Sequence, residues 1–329
     1  MVPAMSGPLL TIEDLRVHLS LGDTWIAPVD GVTLSVERGE FLGIAGESGS
    51  GKSLTLRSIV GLLPAGSRVE GRLLFSLDGQ TQRQLDVEEV RGRGVAMIFQ
   101  EPMTALNPTM RVGDLIAEGP RVHRGLGRAD AKARAIELMG LVGIPDPHRR
   151  ARHWPHQLSG GLRQRVMIAT ALSTDPKLLL CDEPTTALDV TIQDQILGLL
   201  EGLRRDLGMS IVLVTHDLAV IAEVCDRLAV MYAGRIVELG GVDEVLSSPR
   251  HPYTSAMLES VPSFHGGSEQ LRGMGGRPPD PRAFPNGCRF APRCRFARDD
   301  CLSAPYELEL VHGRLTACIH PEVLATGIR

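Results

Sequence analysis

The sequence predicts an α/β fold whose central strands are covered on both faces, and three observations predict it. Gly46-Glu47-Ser48-Gly49-Ser50-Gly51-Lys52-Ser53 is a glycine-rich loop between a short apolar, β-prone run, Phe41 to Ala45, and a helix-forming segment, Leu54 to Ile59. Leu178 to Cys181 and Ile211 to Val214 are continuous apolar runs with a helix-like segment, Thr191 to Leu207, between them. Such runs are the pattern of strands buried on both faces. Asp182-Glu183 follows the first run, which puts two carboxylates at the C-terminal end of a buried strand, where open α/β sheets bind ligands.

The other elements follow in order. Residues 9–45 and 69–99 carry short β-like runs, Leu34 to Val36, Leu73 to Phe75 and Val95 to Phe99, separated by Gly and Asp turns. From Val112 to Gly143 the pattern is helical, best between Ala129 and Met139, and Pro145 to Pro155 breaks it, so this stretch is expected to be a helical insertion. Arg227 to Glu238 predicts a closing hairpin that turns at Ala233-Gly234. Beyond Pro249 the residues Gly266-Gly267, Gly273, Gly275-Gly276 and Pro278-Pro279 predict a flexible connection to a cysteine-rich end.

The composition narrows the function. At 329 residues, with 43% hydrophobic and 22% charged residues and a net charge of −4, the chain is expected to be globular, with one large domain and one smaller. That charge offers no long-range attraction for nucleic acid, so no nucleic-acid partner is expected. No apolar run approaches the ~20 residues of a membrane helix, and the opening residues lack the charged, apolar, small-residue order of a secretory signal, so none is expected. Six cysteines in a reducing compartment should stay unpaired, and clustered thiols then point to metal.

Gly46 to Ser53 has the make-up of a phosphate-binding loop: successive backbone N–H groups, a lysine and a hydroxyl converge on a nucleotide's phosphates and Mg²⁺. Lys52 is one of only three lysines in the chain, against thirty-two arginines. Of the acidic pair, Asp182 suits a metal ion and Glu183 suits a base acting on the water that attacks the γ-phosphate. Leu158-Ser159-Gly160-Gly161-Leu162-Arg163-Gln164-Arg165 predicts a second phosphate-binding element, with Ser159 as N-cap and a positive helix end facing an anion.

With these residues in order, the chain resembles the nucleotide-binding subunit of an ABC transporter over about residues 9–260. Gly46 to Ser53 matches the Walker A loop, Leu178 to Asp182 Walker B and Ser159 to Gln164 the signature; Gln100 matches the Q-loop, Ala187-Leu188-Asp189 the D-loop and His216 the switch histidine. The resemblance implies a P-loop NTPase, RecA-like core with an antiparallel β subdomain, a helical subdomain at about 101–160, and a nucleotide-binding domain over 9–250. It also implies an ATPase in which Gly46, Glu47, Ser48, Gly49, Ser50, Gly51, Lys52, Ser53 and Leu54 hold ATP. Ser53, Gln100 and Asp182 organise Mg²⁺, Glu183 activates water and His216 contacts the γ-phosphate. Ser159, Gly160, Gly161, Gln164 and Asp189 would close over ATP bound to a second ABC ATPase, a paralogue or a second copy. The aromatic residue that usually stacks on adenine is missing near Val17-His18-Leu19: Leu19 takes that place, with Trp25 or His18 as substitutes.

Phe99 to Pro108, Glu183 to Thr191 and His251-Pro252-Tyr253-Thr254 are similar to the oligopeptide, dipeptide and nickel importers. That similarity implies two integral-membrane permease subunits, an extracytoplasmic substrate-binding protein and a peripheral position on the cytoplasmic face of the cell membrane, with nickel or another non-peptide solute as the alternative cargo. A soluble ABC ATPase working without a permease, or a metal-sensing module, are the readings from other classes. Residues 251–329 are expected to form an extension carrying Cys288, Cys294, Cys301 and Cys318, separated by five, six and sixteen residues. This spacing leaves zinc, an iron–sulfur cluster and reduced thiols open, with His312 and His320 as further ligands. The resemblance to the peptide-importer extension implies a [4Fe–4S] cluster. Cys181 and Cys225 sit in apolar contexts and are expected to pack.

Overall fold

A computed structural model of the chain describes residues 7–77, 82–186, 188–261 and 274–325. Ala187 of the expected D-loop and Gly266, Gly267 and Gly273 of the expected connection lie outside the described residues. The strands, in chain order, are β1 (Leu10–Leu21), β2 (Thr24–Val36), β3 (Phe41–Ala45), β4 (Arg68–Phe75), β5 (Arg83–Gln84), β6 (Val95–Ile98), β7 (Leu178–Asp182), β8 (Ser210–Val214), β9 (Arg227–Tyr232), β10 (Arg235–Gly241), β11 (Glu309–Val311) and β12 (Arg314–Thr316). The chain divides into two compact units.

One unit gathers residues up to Leu9, Glu37–Gly39 and Phe75–Leu213. Its strands run in the order β8-β7-β6, and β6 and β7 are parallel, with Ile98 beside Cys181. Every residue of β7 and β8 is buried, which is why both read as unbroken apolar runs. Helices Val112–Arg124, Arg128–Leu141 and Gly160–Leu172 pack together, and Ile116, Leu138, Met139 and Ile168 on them are buried. The first ends at Gly125, whose φ of 66° suits a residue without Cβ. The proline-flanked break keeps single helical turns at Pro147–Arg150 and Pro155–Gln157. The second of these is pinned by Arg163, which donates to the carbonyls of Pro155 (2.8 Å) and His156 (3.2 Å).

The other unit comprises Leu10–Val36, Glu40–Leu74 and the chain from Val214 onward. Here β1 lies between β2, its antiparallel partner, and β4. A second group runs β11-β12-β10-β9-β3, with β3 parallel to β9 and the remaining pairs antiparallel. The predicted hairpin is β9–β10, turning at Ala233 (φ 46°) and Gly234 (φ 86°). Tyr232, at the end of β9, packs against Tyr253 (ring centroids 4.5 Å) and Phe290 (5.3 Å), so residues from the C-terminal part pack against the end of β9. Cys181 and Cys225 are buried as reduced thiols, as expected of packing residues.

Candidate nucleotide site

The glycines shape the loop after β3. Gly46 has φ 157°, and a Cβ there would fall 2.1 Å from the Met231 carbonyl oxygen; Gly51 has φ 103°, and a Cβ there would fall 2.5 Å from the Pro28 carbonyl oxygen. No side chain fits at either position. The loop then opens helix Lys52–Ile59, so the positive, N-terminal end of the helix lies at the loop, where an anion is favoured. Lys52, only 5% exposed, donates to the carbonyls of Gly46 (2.7 Å) and Glu47 (3.0 Å), which keeps a buried ammonium satisfied beside the loop. Ser50 accepts from the Gly234 N–H at 2.9 Å, tying the loop to the β9–β10 turn. Ser48 and Gly49 are exposed, and Ser53 and Leu54 occupy the first helical turn.

In the same unit His216 stands exposed just past β8. Its neighbour Asp217 caps helix Leu218–Val224 by accepting from the N–H groups of Ala219 and Val220. An aspartate directly before an apolar helical run is the signal that identifies this cap.

In the first unit, Asp182 is fully buried at the end of β7, and Glu183 follows with φ 48°, a left-handed turn that carries the chain out of the strand. The Glu183 carboxylate accepts from Gln100 Nε2 (3.2 Å) and Thr186 Oγ1 (2.8 Å), so two residues singled out in the sequence meet, joined by a threonine that was not. Asp189 caps Val190–Leu207 by accepting from the Ile192 N–H at 3.0 Å. Ser159 occupies the N-cap position of Gly160–Leu172 in an extended conformation, but its hydroxyl makes no cap bond, contrary to expectation. Ser159 and Gly160 are exposed, Gln164 is buried, and a Cβ on Gly161 would press on Ile192 at 3.0 Å.

Of the adenine candidates, Leu19 pairs with Ile26 across β1–β2, and His18 Nε2 lies 3.4 Å from Glu70. Trp25 is 42% exposed, with the Arg68 guanidinium 4.2 Å above its ring, so one face of the indole is covered.

The four C-terminal cysteines line one cavity together with Tyr232, Phe290 and Tyr306. Burial pushes the Cys288 and Cys294 thiols up and Cys318 up to about 12, and neighbouring cysteines add to the shift of all three. Asp300, Cys301 and His320 offer ligand atoms within 4.8 Å of one another, and His320 Nε2 lies 2.8 Å from an Asp300 carboxylate oxygen. Asp300 carried no sequence signal, because its partner is twenty residues away along the chain.

Two residues bearing on the loop had no assigned role in the sequence. The Tyr253 hydroxyl accepts from the Glu47 backbone N–H, and Arg293 donates to the Glu47 carboxylate. No short-range pattern announces either contact.

Loop, strand-end carboxylates and apolar parallel strands define an α/β nucleotide-binding cassette of the phosphate-loop class. The family profile described as "ABC transporter" matches residues 29–186, and that of "Oligopeptide/dipeptide transporter, C-terminal region" matches residues 237–301. The oligopeptide transport ATP-binding protein OppD of Escherichia coli (strain K12) is 44% identical over 316 residues, 95% of this chain and 93% of that one. The dipeptide transport ATP-binding protein DppD of the same organism is 46% identical over 317 residues, 95% of this chain and 97% of that one. Among solved structures, the dimeric ATP-binding cassette MJ0796 bound to ADP and Pi is 29% identical with a TM-score of 0.61, covering 71% of this chain and 98% of its own. The chain belongs to the ABC transporter family and carries that family's ATPase cassette.

Proposed function

We propose that this chain hydrolyses ATP to drive a membrane importer of peptides. The carrying observation is that proteins named for oligopeptide and dipeptide transport align over 95% of it, cassette and C-terminal region alike. In this reading 9–250 is the nucleotide-binding domain, about 101–160 its helical subdomain and 251–329 the extension.

Gly46 to Leu54 bind the triphosphate through backbone N–H groups, and Lys52 neutralises β- and γ-oxygens. Ser53, Gln100 and Asp182 would hold Mg²⁺; a hydroxyl, an amide oxygen and a carboxylate are the hard donors this ion takes, and when bound it shields phosphate charge. Glu183 accepts the proton of the attacking water, whose oxygen bonds to the γ-phosphorus as the bond to the β,γ-bridging oxygen breaks, leaving ADP and phosphate. His216 donates to the γ-phosphate, where charge builds in the transition state. Ser159, Gly160, Gly161, Gln164 and Asp189 complete a site on a second ABC ATPase; the dimer of MJ0796 supports this pairing.

Two permease subunits and an extracytoplasmic binding protein complete the importer, with this chain peripheral on the cytoplasmic face of the membrane. Among the described residues no helix is long and apolar enough to cross a membrane, which fits a peripheral subunit. Cys288, Cys294, Cys301 and Cys318 would hold a [4Fe–4S] cluster, and their convergence on one cavity supports the assignment. When bound, such a group cross-links the extension and adds a redox centre.

The test is ATP-driven uptake of a labelled peptide into vesicles that contain this chain, its permease pair and the binding protein. Uptake abolished by Glu183→Gln supports the reading, and uptake indifferent to that change contradicts it.

A further inference from the structure

We propose that Arg293, in the cysteine-bearing C-terminal part, is a positioning residue for the phosphate loop. This rests on the reading that the loop binds ATP and adds a residue outside the motifs that define it. Arg293 Nη1 and Nη2 form a fork on the two carboxylate oxygens of Glu47 at 2.7 and 2.9 Å, 246 residues away in sequence. Its side chain is 4% exposed, so the pair is shielded from solvent on the arginine side.

The bonds around that fork restrain Glu47 and the peptide units on either side of it. The N–H of Glu47 donates to the buried Tyr253 hydroxyl at 2.8 Å, and the carbonyl of Glu47 is an acceptor for Lys52. Arg293 also donates to Tyr232 Oη (3.2 Å) and to the Gly275 carbonyl (2.9 Å), which fixes the guanidinium from three sides. Glu47 is therefore held by side chain and backbone through two residues of the C-terminal part, and the carbonyl that orients Lys52 is held with it. Arg293 directly precedes Cys294, so the turn that brings a thiol to the cavity also brings the guanidinium to the loop.

The experiment titrates the full chain with mant-ATP and measures turnover across ATP concentrations. Arg293→Met is expected to weaken mant-ATP binding on the order of tenfold and raise KM in step, while kcat at saturating ATP stays within about threefold. Arg293→Lys keeps the charge without the fork and should fall between the two. Glu47→Gln should weaken binding by itself but add little in the Arg293→Met background, because both changes remove one interaction. Binding by Arg293→Met equal to the unaltered chain overturns the inference, as does a loss in kcat with KM unchanged. Should Arg293→Met not fold, Arg293→Lys and Glu47→Gln carry the same comparison, and unaltered binding by both overturns it. Lys52→Ala separates the two levels. If the unaltered chain binds no mant-ATP, the functional reading falls and this inference with it; if it binds through Lys52 but ignores Arg293, only the inference falls.

Discussion

His251 makes the C-terminal part sensitive to acid by an amount that follows from its surroundings. It is the N-cap of helix Pro252–Glu259, and its Nδ1 accepts from the Tyr253 N–H at 3.1 Å, a bond that requires the neutral ring. Complete burial pulls this imidazole from its ordinary 6.5 to about 3. The folded value is depressed, so the contribution to stability is whole above pH 6.5, where both folded and unfolded rings are neutral. Below that the unfolded ring takes up a proton that the folded one refuses. Stability then falls by roughly 1.4 kcal/mol per pH unit, about 2 kcal/mol by pH 5, and levels off near pH 3. Glu238, which accepts from the backbone N–H groups of Arg250 and His251, is pushed upward by burial, so its contribution has the opposite sign. A difference measurement isolates the histidine. Urea unfolding at pH 7.5 and pH 5 is compared between the unaltered chain and His251→Asn, whose amide oxygen can accept the same cap bond. The unaltered chain should lose about 2 kcal/mol more than the variant. Equal losses in the two proteins would refute the reasoning.

Two further outcomes are expected. Lys52→Ala and Ser159→Arg chains should each be inactive alone, yet mixing them should restore about a quarter of the ATPase rate, since half the pairs then hold one intact loop facing one intact signature; a mixture as inactive as its components contradicts self-pairing. Protein purified without oxygen should be brown and contain iron, and replacing Cys288, Cys294, Cys301 and Cys318 by serine should remove both colour and iron; colourless, iron-free, fully active protein contradicts the cluster.

The strands that position the site were legible because burial on both faces leaves little but apolar residues. β3 is Phe41–Ala45 as the sequence predicts, and β7 and β8 differ from the expected runs by one residue each. The first sheet was much less legible. Only Leu34 to Val36 and Leu73 to Phe75 stood out, whereas β2 begins at Thr24 and β4 at Arg68, and register shifts and the positive φ of Asp14 interrupt the alternation that would mark β1 and β2. Residue type alone marked Ser159 as a cap, but the hydroxyl does not reach the backbone, a matter of rotamer that composition does not specify. Phosphate loop and acidic pair were readable because their chemistry is compressed into eight and two neighbouring residues. The bonds that fix Glu47 come from Tyr253 and Arg293, and contacts over such separations leave no local trace.

The most direct test of the central claim is Glu183→Gln. The side chain keeps its shape and an oxygen to accept from Gln100 and Thr186, but it can no longer take a proton from water. The account predicts mant-ATP binding within about threefold of the unaltered chain and turnover lower by roughly 10²- to 10⁴-fold. Turnover close to that of the unaltered chain would contradict it.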